Sequence, residues 1–150
     1  MKKKKPWLKR ILIGLLALVV ILAGVYWYVA ADKFSDTKDR KADYTVNVLD
    51  LIREFQQDDS AANKKYSDKI ITVNGTVSEI EAADTTLNIK FIDKATGSYA
   101  IFAFQQQHAA EARTVKVGDS ISIKGSCSGG IYSEILEANA ITFKRSALNK

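Results

Sequence analysis

The apolar residues divide the chain into one uninterrupted apolar run and a longer part with periodic patterns. The run covers residues 11–31, ILIGLLALVVILAGVYWYVAA, and contains no charged residue. About 20 apolar residues in a helix are long enough to cross the roughly 30 Å hydrocarbon core of a bilayer. The run therefore predicts a transmembrane helix. Its expected anchor residues are Ile11, Leu15, Leu18, Leu22 and Trp27.

The residues on either side of this run predict its orientation. Residues 1–10 contain six Lys or Arg and no acidic residue, whereas Tyr26, Trp27 and Tyr28 lie at the far end. Basic flanks stay on the cytoplasmic side, and aromatic residues concentrate at the membrane interface. We therefore expect a single pass through the cytoplasmic (inner) membrane, with the N-terminus inside and the C-terminal domain periplasmic or otherwise outside the cytoplasm. A cleaved signal peptide is the alternative, because Val29-Ala30-Ala31 fits a cleavage site.

The next part of the chain changes to helical periodicity. Residues 32–43 contain eight charged residues and predict a short tether, and an extension of the transmembrane helix past the membrane surface is the alternative. Thr45 is expected to cap an amphipathic helix, and Ser60 to cap a second short helix that runs to Tyr66. The apolar residues that define the first helix recur at every third position: Val46, Leu49, Ile52 and Phe55.

From Lys69 onward, apolar and polar residues alternate, which predicts strands. The five expected strands cover residues 69–78, 87–91, 99–105, 120–125 and 135–143. Gly75 predicts a bulge or sharp bend in the first strand, and residues 126–130 (SCSGG) predict a flexible loop. Residues 105–113 (QQQHAAEAR) favour a helix between the third and fourth strands.

Five strands with this helical insert are the layout of an OB-fold, a small, partly open Greek-key barrel. The predicted fold class is mainly β (α+β): a five-stranded OB-fold barrel with N-terminal helices, preceded by one transmembrane helix. The expected organisation is a cytoplasmic basic tail at 1–10, the transmembrane helix at 11–31, the tether at 32–43 and the OB-fold domain at 44–150.

The charge distribution separates the two parts further. The whole chain has a net charge of +5, but residues 1–31 contain six basic and no acidic residues. Residues 32–150 contain 16 basic and 17 acidic residues, a net charge of −1. Affinity for nucleic acid depends largely on clustered Lys and Arg that neutralise phosphates. The basic character of the chain thus belongs to its membrane-flanking tail and not to the exterior domain.

The residue types that carry enzymatic chemistry are scarce. Cys127 is the single cysteine, so an intrachain disulfide and a lipoprotein signal after the apolar run are both excluded. We expect it to be buried, and a thiol that pairs between chains is the alternative. His108 is the single histidine and is expected on the surface. The sequence therefore predicts no catalytic residue, no metal site, no cofactor and no enzymatic activity.

Two stretches carry a family resemblance. Residues 61–80 (AANKKYSDKIITVNGTVSEI) and 117–130 (VGDSISIKGSCSGG) resemble the tRNA_anti-like family of small bacterial OB-fold proteins, which are often exported or membrane-anchored. The likeness covers about residues 44–143 and implies the OB-fold without implying catalytic residues. Relatives often carry a second cysteine in the last strand, where this chain has Asn139 and Ala140. The matching positions are Ala61 or Ala62, Lys65, Tyr66, Lys69, Val73, Gly75, Val77, Gly118, Asp119, Ile123, Gly125, Cys127 and Gly129.

The candidate binding face lies on the second and third strands, where OB-folds place outward aromatic and basic side chains. Phe91, Phe102 and Phe104 are in phase with the core. On the opposite face, Lys90 and Tyr99 are the best pair for combined charge and stacking. The candidate ligand-binding residues are Asn88, Lys90, Tyr99, Gln105 and Lys124.

The predicted function is a membrane-anchored, non-enzymatic binding module outside the cytoplasmic membrane. Its expected partner is a protein, peptide or glycan of the cell envelope. The exterior location and the net charge of −1 support this hypothesis. The alternative, which the family name implies, is binding of single-stranded nucleic acid (tRNA or DNA). The sequence leaves the oligomeric state open.

Overall fold

The computed structural model describes residues 6–34 and 36–149, which form two compact units divided at Ser35. The first unit is helix α1 (Pro6–Phe34). Its segment Lys9–Ala30 has a mean hydropathy of 2.5, and none of it is buried in the structure. By length and composition, this helix is able to cross a membrane.

The second unit combines helices and strands. Helices α2 and α3 come before most of the strands, and α4 lies between β5 and β6. The elements in chain order are β1 (Tyr44–Asn47), α2 (Val48–Gln57), α3 (Asp59–Tyr66), β2 (Ile70–Thr76), β3 (Glu79–Ala82), β4 (Leu87–Ile92), β5 (Tyr99–Phe104), α4 (Gln106–Ala112), β6 (Ser120–Ser133) and β7 (Ala138–Leu148).

The strands pair in the order β1-β2-β6-β7-β5-β4-β3. Strand β2 corresponds to the first predicted strand, and β3 continues it beyond the predicted end, after an interruption at Val77 and Ser78. The Val77 N–H donates to the Asp119 carbonyl at the start of β6, and the Ser78 N–H donates to the Lys90 carbonyl of β4. One bent strand thus serves both ends of the sheet, as in an OB-fold. The predicted fold class is confirmed. The count differs because the first strand is split and β1 is added.

The core lies between the inner face of the barrel and α2. Phe102 stacks on Phe143 with ring centroids 4.4 Å apart and meets Phe91 edge to face at 5.4 Å. Phe91 and Phe102 are buried, as predicted, and Phe104 is half-buried. Burying each such ring contributes roughly 1.5–3 kcal/mol to stability. The alternation along β4 and β5 therefore encodes the core correctly.

The start of α2 differs from the prediction. Val46 is not helical, because residues 44–47 form β1, which pairs in parallel with β2 and places Val46 opposite Val73. The cap is therefore Asn47, whose side chain accepts a hydrogen bond from the Leu49 N–H at 2.9 Å, and not Thr45.

The cap of α3 also differs from the prediction. Asp58, and not Ser60, accepts the hydrogen bond from the Ala61 N–H at 2.9 Å. Asp58 is extended in backbone conformation, which is the geometry that an N-cap residue adopts. Ser60 already lies inside the helix, so it is not available for this role.

The segment predicted as a tether is only partly one. Residues up to Phe34 belong to α1, and residues 36–43 belong to the second compact unit. The Asp43 N–H donates to the Ile70 carbonyl at 2.7 Å, and Thr37 is buried. Lys124 Nζ donates to the carbonyls of Lys38 and Arg40, both at 3.0 Å. These hydrogen bonds fix the segment on the barrel in spite of its high charge.

Gly75 is not at a bulge, because the β2–β6 register continues through it without a shift. A Cβ at this position would lie 2.7 Å from Val48 Cγ1 at the start of α2. The glycine thus permits the close approach of α2 to the strand, and the bend follows at Val77 and Ser78.

The predicted loop at residues 126–130 is wrong, because β6 runs through it for 14 residues. Gly129 has a φ of +102°, which favours glycine, and the register shifts between Cys127 and Gly129. A Cβ at Gly130 would lie 2.7 Å from the Phe55 ring. Gly129 is therefore required by the bulge, and Gly130 by the close packing against Phe55.

Strand β7 starts at Ala138 and not at Ile135, because residues 134–137 form the turn after β6.

Cys127 is fully buried in β6, as expected. Burial raises the pKa of its thiol above the ordinary value, which keeps the sulfur in the unreactive protonated form.

Candidate binding surfaces of the barrel

The structure brings Lys90 and Tyr99 together on adjacent strands. Lys90 lies opposite Ile101 and Tyr99 opposite Ile92 in the β4–β5 register, so the two residues are diagonal neighbours. Lys90 Nζ lies 5.6 Å from the centre of the Tyr99 ring. This is within the distance of a cation–π contact. We call the outer surface formed by Asn88, Lys90 and Tyr99 the strand face.

The charge of Lys90 is neutralised by its neighbours on β3. The Lys90 ammonium forms ion pairs with Glu79, at 3.5 Å, and with Glu81. The hydrogen bond to Glu81 raises the pKa of Lys90 and lowers the pKa of Glu81. Asn88 also points to Glu81, at 3.5 Å. Since one cation faces two carboxylates, the strand face has a local net charge of −1 and does not attract phosphate.

The other two predicted ligand residues lie away from the strand face. Lys124 is on β6, with its ammonium bound to backbone carbonyls of residues 38 and 40. Gln105 follows β5, four residues beyond Ile101, and its N–H donates to the Ser146 carbonyl. At about 3.3 Å per residue, four residues separate it from the Lys90 register position by more than 10 Å. The five predicted residues therefore do not form one continuous site.

A polar cluster that the sequence did not reveal holds residues 36–40 against α4. His108 Nε2 lies 2.7 and 2.8 Å from the two carboxylate oxygens of Asp36, and Gln107 donates to the same carboxylate at 3.1 Å. Lys38 pairs with Glu111 at 3.0 Å. The side chain of His108 is only 12% exposed, so the prediction of a surface histidine is wrong.

The hydrogen bonds of this cluster fix the charge of Asp36. Burial works to raise its pKa, but the Lys38 backbone N–H and the side chains of His108 and Gln107 lower it to about 2. Asp36 and His108 are 72 residues apart. No pattern in the sequence links positions at that distance, which is why the cluster was missed.

Tyr66 packs its ring in the core and bonds its hydroxyl. It is fully buried, and its hydroxyl donates to Glu54 Oε1 at 2.9 Å. Lys65 pairs with the other oxygen of Glu54 at 2.7 Å, and this hydrogen bond raises the pKa of Lys65. The ammonium lies 4.6 Å from the Tyr66 ring centre. The pair thus joins α2 to α3 and is structural.

The described ranges 6–34 and 36–149 contain no group of three or more His, Cys, Asp or Glu residues arranged to hold a metal ion.

A family model described as tRNA_anti-like matches residues 1–137 of the chain. The chain belongs to the tRNA_anti-like family. The match includes the apolar N-terminal helix and ends one residue before β7. The resemblance noted in the sequence is thus confirmed. No curated protein matches the chain.

Solved structures share the fold at low sequence identity. One from Klebsiella pneumoniae subsp. pneumoniae MGH 78578, described as a putative nucleic acid-binding lipoprotein, is 15% identical with a TM-score of 0.55. The alignment covers 70% of this chain and 91% of that protein. Both the family and this neighbour are described by binding and not by catalysis.

Two aminoacyl-tRNA synthetases align more distantly. A putative aspartyl-tRNA synthetase from Leishmania major Friedlin is 11% identical with a TM-score of 0.46, over 74% of this chain and 21% of that one. The asparaginyl-tRNA synthetase of Entamoeba histolytica is 15% identical with a TM-score of 0.40, over 69% and 23%. The chain thus spans less than a quarter of either enzyme.

Proposed function

We propose that this protein is a membrane-anchored, non-enzymatic OB-fold module that binds a protein or peptide partner of the cell envelope. The N-terminal helix, with its basic flank, is the proposed single-pass anchor, and it places the barrel outside the cytoplasmic membrane. The proposal extends to a glycan as partner only if no protein ligand is found.

The observation that carries the choice of a protein partner is the ion pairing of Lys90 with Glu79 and Glu81. Binding of nucleic acid requires cations that neutralise phosphates. On the strand face the available cation is already neutralised within the barrel, and Lys124 is engaged with backbone carbonyls. Protein interfaces, in contrast, accept a paired lysine beside a tyrosine, because aromatic residues are enriched there and net positive charge is not needed.

The second candidate function is binding of single-stranded nucleic acid. The tRNA_anti-like family match and the cation–π pair of Lys90 and Tyr99 favour it. Tyr99 would stack on a base, and Lys90 would have to leave its carboxylates for a phosphate.

The deciding experiment combines a titration with site-specific crosslinking on the full-length chain. Fluorescence anisotropy with single-stranded DNA and RNA at two salt concentrations measures phosphate-dependent affinity. A photo-reactive residue at Tyr99 of the strand face, or at the exposed Tyr132 of β6, then captures envelope proteins in living cells. The same residue at Asp84, in the turn between β3 and β4, is the control.

Absence of oligonucleotide binding at low salt, together with a protein captured from Tyr99 or Tyr132 and not from Asp84, supports the proposal. Micromolar binding that weakens steeply with salt contradicts it and favours the nucleic-acid function. A reporter fusion at the C-terminus tests the topology, and cytoplasmic reporter activity contradicts the exterior location.

A further inference from the structure

A second surface, unrelated to the strand face, lies where the C-terminal end of α2 meets the β6–β7 hairpin. A cavity of about 400 Å³ opens there. That volume is within the range of small-ligand and side-chain pockets, about 300–1,000 Å³. We call it the hairpin cleft. The residues that form it and enter the argument are Phe55, Asp58, Asp59, Tyr132 and Asn139.

An unpartnered acceptor lies in this cleft. Asn139 is 95% buried, since only 5% of its surface is exposed, and it lies opposite Tyr132 in the β6–β7 register. Its Oδ1 is buried and accepts no hydrogen bond from any described residue. A buried polar atom without a partner costs about 1–3 kcal/mol, and such atoms are rare in folded proteins. Asn139 thus brings a side chain with an unused acceptor to the wall of the cleft.

The charge of the cleft is negative and is not compensated. Asp58 and Asp59 line it, and Glu134 and Glu137 lie in the turn directly after β6. Within residues 6–34 and 36–149, none of these four carboxylates forms an ion pair with a Lys, Arg or His. This differs from the strand face, where the carboxylates of β3 pair with Lys90. The ends of α2 and α3 meet here, and Asp58 accepts the Ala61 N–H at the N-terminus of α3, so Asp59, Glu134 and Glu137 carry the charge that has no partner.

The tip of the hairpin is apolar and exposed. Ile135 is 95% exposed and Leu136 is 63% exposed, and Ile131 and Tyr132 precede them with 70% and 52% exposure. Contiguous exposed apolar residues mark interaction sites in soluble domains. The Tyr132 ring, beside two carboxylates, also suits a cation, since aromatic faces attract cations within about 6 Å.

We propose that the hairpin cleft binds an arginine side chain of a partner protein, and that apolar residues next to this arginine cover the hairpin tip. A guanidinium provides five N–H donors on a planar group, so it pairs with a carboxylate and stacks on Tyr132 while its other N–H groups face the Asn139 side chain. The inference rests on the proposed function, because it names the partner chemistry of the same binding module.

A lipid surface would also cover the exposed apolar residues of the hairpin tip, but the negative charge beside these residues disfavours it. Glu134 and Glu137 flank Ile135 and Leu136, and carboxylates are repelled by anionic headgroups. A basic, amphipathic peptide segment complements both the apolar tip and the four carboxylates.

The test uses the full-length chain in nanodiscs of zwitterionic lipid, with empty nanodiscs as the background. The probe is a fluorescein-labelled heptapeptide that contains two arginines among leucine and serine residues. Two matched peptides replace arginine by citrulline, which keeps the shape and removes the charge, or by glutamate. We expect the arginine peptide to bind at least about tenfold more tightly than either matched peptide.

Variants assign the binding to the cleft. We expect Asp59→Lys to weaken the arginine peptide about tenfold, because it places a like charge in the cleft, and Tyr132→Ser to weaken it as well. Asp84→Lys, in the β3–β4 turn, makes the same charge change elsewhere and should leave the affinity unchanged. In the ¹⁵N-labelled protein, the side-chain amide of Asn139 should shift on titration with the peptide.

Several outcomes overturn the inference, and they separate it from the proposed function. Binding that survives Asp59→Lys but is lost in Tyr99→Ser moves the peptide to the strand face: the proposed function stands and the cleft site falls. Equal binding of the citrulline peptide, or Tyr132-dependent binding to anionic vesicles, also removes the arginine site. Binding of oligonucleotides with no binding of any peptide removes both.

Discussion

The strand face and the hairpin cleft both contain carboxylates and a tyrosine, yet they differ in whether the carboxylates are paired. On the strand face Glu79 and Glu81 are paired with Lys90, whereas Asp58 and Asp59 in the cleft pair with no described cation. The strand face holds the residues that sequence patterns of OB-folds point to. The cleft holds a buried acceptor without a donor. The comparison teaches that a binding surface is recognised by unsatisfied groups more than by residue types.

The largest expected effect comes from a larger side chain at Gly130, where β6 packs closely against Phe55 of the hairpin cleft. In Gly130→Val, the new side chain collides with Phe55, because even a Cβ would lie 2.7 Å from its ring. Overpacking of this kind destabilises a domain by about 3 kcal/mol. Thermal unfolding of the full-length chain measures it. Ser128→Val, at an exposed position of the same strand, is the control. Equal melting temperatures for the two variants would contradict the close packing.

Asn63 is expected to contribute the next largest effect on the cleft side. Its Nδ2 donates to the Gly130 carbonyl at 2.8 Å, and its Oδ1 accepts from the Gly130 N–H at 2.9 Å. Asn63→Ala leaves both backbone groups without partners and should cost about 2 kcal/mol. Urea unfolding measures the change, with the exposed Asn74→Ala as the matched control. If both alanine variants unfold at the same urea concentration, the two hydrogen bonds between Asn63 and Gly130 do not stabilise the domain.

Asp36 provides a reference in which a carboxylate is fully partnered. Its pKa of about 2 lies below the ordinary value of 3.8, so its contribution to stability is present above pH 4 and is lost as the pH falls to 2. Asp36→Asn should lower the free energy of unfolding by about 1 kcal/mol at pH 6, because the group is partly solvated. At pH 2 the variant and the parent should be equally stable.

Urea unfolding at both pH values tests this prediction, and Asp39→Asn, an exposed neighbour, is the control. A difference at pH 2 as large as that at pH 6 would show that the ionised carboxylate of Asp36 is not the cause.

The smallest expected effect tests whether the ion pairs of Lys90 alone prevent the strand face from binding single-stranded DNA. The double change Glu79→Gln with Glu81→Gln releases Lys90 and should raise the affinity for single-stranded DNA a few-fold at low salt. The slope of log affinity against log salt should grow by about 1, the contribution of one phosphate contact.

The control has the same change in net charge on the other surface: Glu134→Gln with Glu137→Gln. An equal gain in both double variants would mean that overall charge, and not the release of Lys90, governs the affinity.

Local patterns predicted the barrel well because its strands are encoded by alternation. Phe91 and Phe102 were placed in the core from the sequence, and the helix between the third and fourth strands was found. The prediction failed where a distant element determines the backbone. Gly129 and Gly130 were interpreted as a flexible loop, but Asn63 and Phe55, more than 60 positions earlier, hold them in a strand.

The same limit applies to the candidate site. Strand phase placed Lys90 and Tyr99 on the same face, and in the structure the two side chains are in contact. The carboxylates that neutralise Lys90 depend on the split of the first strand, which periodicity does not reveal. The unpartnered Oδ1 of Asn139 depends on tertiary packing of β7 against α2 and β6. A missing partner is visible only in the folded structure.

The position of β7 has a consequence for the order of assembly. It lies between β5 and β6 and pairs with both, so the barrel cannot close until residues 138–148 have been delivered. Until then two strand edges are unpaired, and such edges invite association with other chains. Closure also depends on contacts between distant parts of the chain, which form slowly. The barrel therefore stays open between β5 and β6 until residues 138–148 have been synthesised.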